Sequence, residues 1–114
     1  MPSSDTARVL RTIAYNAQLA RRFVEDISYQ AFAADELRLY AVTRCLEIIS
    51  EASRRLPDEM KARHADVPWR QIAGSGNFYR HDYEDVLPGI LWNTVLHHLA
   101  VLERAVSEEL EGQV

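Results

Sequence analysis

Leu39-Tyr40-Ala41-Val42-Thr43-Arg44-Cys45-Leu46-Glu47-Ile48-Ile49-Ser50-Glu51-Ala52 decides the fold class. Leu39, Val42, Cys45, Leu46 and Ile49 recur at three- and four-residue spacing, and Leu56 extends the arc. That is the helical period, and strands would alternate every second residue instead. The pattern predicts a helix from about Tyr29 to Leu56, stopped at Pro57, whose ring fixes φ and removes a donor. Ala41, Ile48 and Ala52 lie at the edge of the arc, beyond the main core positions. A second stripe there suits either a homodimer contact or a central, heavily buried helix.

A first helix is predicted from about Ser4 to Asp26, with Ser4 or Asp5 as N-cap. Its stripe is Leu10, Ile13, Ala17, Ala20, Val24 and Ile27. Asp58 to Arg63 reads as a short helical turn. A third long helix starts near Pro68 with Asp66 upstream as a capping candidate. A fourth runs from Leu87 or Pro88 to about Leu110, with Trp92, Val95, Leu99, Leu102 and Val106 as its stripe. No segment alternates with period two, so no sheet is predicted. Short connections between long amphipathic helices give an all-α, up-and-down four-helix bundle with an extra short helix. The length of 114 residues predicts a single domain over residues 1–114.

Composition narrows the class. The single cysteine, Cys45, excludes an intrachain disulfide and points to a reducing compartment. Its place on the apolar arc predicts a buried, inert thiol. Met1-Pro2-Ser3-Ser4-Asp5 has no basic segment followed by an apolar run, so no signal peptide is expected. No stretch reaches the ~18–20 apolar residues of a membrane helix. The expectation is a soluble, cytoplasmic protein without membrane association. The net charge of −4 disfavours general attraction to nucleic acid. Yet Lys61, Arg63, Arg70 and Arg80, with His64 and His81, outnumber Asp66 and Asp82 between Met60 and Tyr83.

That basic stretch contains Pro68-Trp69-Arg70-Gln71-Ile72-Ala73-Gly74-Ser75-Gly76-Asn77-Phe78-Tyr79-Arg80-His81-Asp82-Tyr83. At about 100° per residue, Arg70, Asn77 and His81 share a face about 100–140° from Gly76, and Arg80 lies beside them. Asn77 and His81 form an i,i+4 pair. Two glycines inside a helix cost roughly 1 kcal/mol each relative to alanine. Close helix packing would explain them, as would backbone exposed to a partner or a phosphate.

Trp69-Arg70-Gln71-Ile72-Ala73-Gly74, then Asn77, then His81-Asp82-Tyr83, resembles the signature of the HepT-like proteins of the HEPN superfamily. These are toxins paired with a minimal nucleotidyltransferase antitoxin. Asp35, Ala41, Arg44, Leu46-Glu47 and Glu51-Ala52 resemble the family pattern in the second helix, and Trp92 in the last. The resemblance implies a HEPN-like helical bundle forming a symmetric homodimer, in a type VII-like toxin–antitoxin pair. It implies metal-independent cleavage of RNA by an Arg-x(4–6)-His motif at the dimer cleft, with no cofactor. It also implies adenylylation (AMPylation) by the partner of the tyrosine two residues after the histidine. Carried over, these residues are His81, Asn77 and Tyr83.

One departure matters. The family arginine precedes the asparagine, and here that position is Gly76; no arginine stands at the motif spacing before His81. Arg80 lies one turn after Gly76 and about 40° round the helix, and long helical side chains lean toward the N-terminus. Arg80 could thus lay its guanidinium over the space at Gly76. On this reading His81 is the acid or base for attack by a ribose 2′-hydroxyl. Arg80 and Arg70 hold the phosphate, and Asn77 orients His81 or a phosphate oxygen. Arg44, Glu47, Glu51 and Arg55 form either a solvated ion-pair ladder or a polar strip lining the cleft. An alternative is a non-cleaving HEPN subunit that binds the nucleotidyltransferase, with nucleotide or RNA as a further ligand. A third is a purely structural dimeric bundle. His97-His98 carries no metal prediction, since adjacent helical residues point about 100° apart.

Overall fold

The computed structural model describes residues 3–81 and 88–112, and of residues 77–81 the helical backbone alone. All regular structure among them is helical. Helix α1 spans Ser4–Val24. Its cap is Ser3, one residue earlier than expected: the hydroxyl accepts from the Thr6 amide at 3.1 Å and satisfies an orphan donor of the first turn. The helix stops before Asp26, which turns the chain with φ 58°. Aspartate is among the few residues that tolerate this left-handed conformation.

The helix expected over Tyr29–Leu56 is in fact two helices, α2 over Tyr29–Ala33 and α3 over Glu36–Ser53. The break is a capping event. The Asp35 carboxylate accepts from the Arg38 amide at 3.2 Å and from Arg38 Nε at 3.0 Å. Arg38 Nη1 donates to the Phe23 carbonyl at 2.9 Å, which ties the break to the end of α1. The bend turns Phe32 fully inward, 5.3 Å from the Trp92 ring. Helix α3 ends at Ser53, and Leu56 is buried in the turn beyond it.

Helix α4 spans Asp58–Arg63 and α5 spans Trp69–His81. The Trp69 indole donates to the Lys61 and His64 carbonyls, each at 3.0 Å, and so fixes the start of α5 on the end of α4. The last rod runs through α6, Pro88–Asn93, a π-helical turn, Thr94–His98, and α7, Leu99–Glu111. The π turn adds a residue to one turn and rotates the stripe that follows it.

Helix α1 packs on α3 and α7, while α3 also carries α5. Leu10, Ile13, Val42, Ile49, Leu102 and Val106 fill the centre. A polar latch joins α4 to α7: Arg63 Nη2 donates to Glu109 at 2.8 Å, and His64 Nε2 lies 2.7 Å from the same carboxylate. Ala52, expected on a second stripe, is fully buried and belongs to the core. Among the described residues no helix is long and apolar enough to cross a membrane.

Candidate functional site

The site region begins where α5 crosses α3. Ser50 is buried, and its hydroxyl donates to the Ala73 carbonyl at 2.9 Å while accepting from the Gly76 amide at 2.9 Å. Both capacities of a buried hydroxyl are thereby used. A Cβ at Gly76 would lie 2.6 Å from Ser50 Oγ and 3.1 Å from Ser50 Cβ. Glycine at 76 is therefore a requirement of close helix packing. Gly74 differs: nothing lies within 4 Å of a Cβ built there. The two glycines have separate causes, and packing explains only Gly76.

Beside this crossing is a groove of about 400 Å³. Arg44, Glu47, Glu51, Arg54 and Arg55 line it from the α3 side, and Gly76 lines it from α5. Arg44 is half of an ion pair with Glu47, at 3.3 Å. The Arg54 guanidinium instead grips the Ala73 carbonyl through Nε at 3.0 Å and Nη2 at 2.7 Å. Among the described residues, neither Arg54 nor Arg55 has a carboxylate ion-pair partner. With Arg44 paired to Glu47, two guanidinium groups remain in the lining against one carboxylate, Glu51, so the groove keeps a small positive excess.

Arg54 escaped the sequence reading because it falls off the i+3 and i+4 ladder of Arg44, Glu47, Glu51 and Arg55. Arg70 is exposed on α5. The α5 backbone continues through Asn77, Arg80 and His81, so Asn77 and His81 keep one-turn spacing; their side chains lie outside the described residues. Tyr83 lies outside them as well. Cys45 is buried, and burial pushes its thiol up from the ordinary range. Among the described residues no group of three or more His, Cys, Asp or Glu is placed to hold a metal. His97 and His98 are exposed on the π turn.

The family model described as ribonuclease HepT-like matches residues 13–109, which includes α3, the groove and α5. The chain belongs to this family. A protein of Caldanaerobacter subterraneus subsp. tengcongensis, provisionally named an RNase, is 40% identical over 90 residues, covering 79% of this chain and 80% of its own. The probable ribonuclease HepT of Thermococcus cleftensis is 35% identical over 94 residues, covering 82% of this chain and 86% of its own. A further provisionally named RNase, of Methanocaldococcus jannaschii, is 31% identical over 106 residues, covering 93% and 97%. No solved structure matches the chain. Within this HepT-like chain, the closed position at Gly76 and the arginines across the groove are the features that bear on chemistry.

Proposed function

We propose that this HepT-like chain is the cytoplasmic toxin of a toxin–antitoxin pair, an endoribonuclease that works without metal and is neutralised by a minimal nucleotidyltransferase. The observation that carries the reading is the groove between α3 and α5. Its excess of guanidinium groups suits a phosphodiester, in a chain whose net charge is −4. His81 removes the proton from a ribose 2′-hydroxyl or protonates the leaving group. The 2′-oxygen bonds to phosphorus, the bond to the 5′-oxygen breaks, and that oxygen takes a proton. A 2′,3′-cyclic phosphate and a 5′-hydroxyl result. Arg80 and Arg70 neutralise the phosphate, Asn77 orients His81 or a phosphate oxygen, and Tyr83 is the residue the partner adenylylates.

The homodimer is assigned to the outer face of α3. Leu37, Ala41, Arg44, Ile48 and Glu51 follow one another at alternating spacings of four and three, the stripe of a two-helix seam. Leu37 is 84% exposed on that stripe. Pairing two copies there brings both grooves to one cleft.

A second reading is a non-cleaving subunit that binds the nucleotidyltransferase. It is favoured by the Ser50 hydroxyl, which closes position 76 to any side chain. Purified protein incubated with RNA in EDTA separates the two. Cleavage that persists in EDTA and vanishes in His81→Ala supports the toxin reading. RNA left intact by the wild type supports the second.

A further inference from the structure

We propose that Arg54, reaching from α3, supplies the phosphate-holding guanidinium that α5 lacks at position 76. The proposal rests on the reading of the α3–α5 groove as the RNA site and names a residue that the motif does not include.

Three observations converge. First, the motif position cannot carry a side chain in this packing, because a Cβ at Gly76 would meet Ser50 Oγ at 2.6 Å. Second, Arg54 reaches the same stretch of α5 from the opposite wall. Its Nε and Nη2 lie 3.0 and 2.7 Å from the carbonyl of Ala73, one turn before Gly76, and both Arg54 and Gly76 line the groove. Third, its charge is not consumed. The carbonyl it grips is neutral, and among the described residues it has no carboxylate within ion-pair distance.

A guanidinium has five N–H donors in a rigid fork. The two bonds to Ala73 use two and hold the plane in place, so little side-chain entropy remains to be lost when a phosphate binds. Exposed arginines otherwise move through many rotamers, and a phosphate must pay for ordering them. Arg44 is a weaker candidate because Glu47 already pairs with it. Arg55 carries charge but makes no hydrogen bond to α5 among the described residues, so it adds long-range attraction more than position.

The bland role for Arg54 is a clamp that docks α5 on α3. The test must read something a clamp would not move. A fluorescent single-stranded RNA with 2′-O-methyl riboses, which cannot be cleaved by 2′ attack, is titrated at several salt concentrations against wild type and Arg54→Gln. Arg54→Gln is expected to weaken binding about tenfold and to lower the log–log salt slope by about 0.7, the loss of one phosphate contact on a single strand. A clamp alone would change affinity without changing that slope.

A second measurement uses the wild type and needs no folded variant. Phenylglyoxal modifies exposed arginines, and peptide mass spectrometry reads the rate at Arg54. Saturating RNA is expected to slow modification of Arg54 at least several-fold. An unchanged slope in folded Arg54→Gln, or an unprotected Arg54 on an RNA-saturated wild type, overturns the assignment and leaves the groove reading standing. A wild type that binds no RNA overturns both.

Discussion

The Ser50 hydroxyl, on α3, holds the Gly76 amide of α5 at 2.9 Å and occupies the place that any Cβ at position 76 would need. This one contact sets how closely the two helices approach. It also decides which residues can bring charge to the groove beside them.

Gly76 and Gly74 therefore respond to alanine with opposite signs. At Gly76 the methyl group collides with a buried hydroxyl that already has two partners. Overpacking of about 1–3 kcal/mol offsets the ~1 kcal/mol gained in helix propensity, for a net loss of up to about 2 kcal/mol. At Gly74 there is open space, and Gly74→Ala is expected to stabilise by up to about 1 kcal/mol. Urea denaturation of both variants checks the pair. A destabilised Gly74→Ala beside a neutral Gly76→Ala would reverse the explanation.

The latch between α4 and α7 predicts an acid-sensitive contribution to stability. Hydrogen bonding from Arg63, and secondarily from His64, holds the Glu109 carboxyl below its usual range, against the opposing effect of burial. A depressed folded-state value means the stabilisation is complete above the unfolded value, ~4.3, and is lost as pH falls through the folded value. Glu109→Gln should cost about 1 kcal/mol near neutrality, a figure kept low because Arg63 is solvent-exposed. The gap between wild type and variant should narrow below about pH 4. Thermal melts across that range measure it, and a gap that widens in acid contradicts the assignment.

The proposed dimer seam on α3 makes a hydrodynamic prediction. Replacing Leu37 and Ile48 together by aspartate puts two like charges on each side of the seam in place of its apolar side chains. Sedimentation velocity should show a dimer for wild type and a monomer for the double variant, with helical content retained by circular dichroism. A wild type that sediments as a monomer, or a double variant that still dimerises, moves the interface elsewhere.

Much of the fold was legible because its signals are local. Pro57 and Pro68 mark helix boundaries that the structure keeps, and the stripe through Leu10 and Ile13 is the core face of α1. The break at Asp35 was missed because the helical period continues across it. A capping carboxylate and the Arg38 tie to Phe23 decide it, and the second of these is tertiary. The π turn at Thr94–His98 has no local signature that periodicity would detect. At the groove, Arg44, Glu47 and Glu51 are singled out as candidates by their helical spacing. Arg54 was not, because its role depends on a carbonyl 19 residues further along the chain. Close packing is one of the two sequence readings of Gly76, but the residue it packs against is hidden, since it is a serine 26 residues away.

The central claim is that the chain cuts RNA by 2′-hydroxyl attack at this groove, and the ends of the products test it most directly. Mass spectrometry of RNA fragments made by the wild type in EDTA should show 2′,3′-cyclic phosphate and 5′-hydroxyl ends. A substrate carrying a single 2′-deoxyribose at the cleavage position should stay whole. Fragments ending in 3′-hydroxyl and 5′-phosphate, or cleavage of the deoxy-substituted RNA, would contradict it.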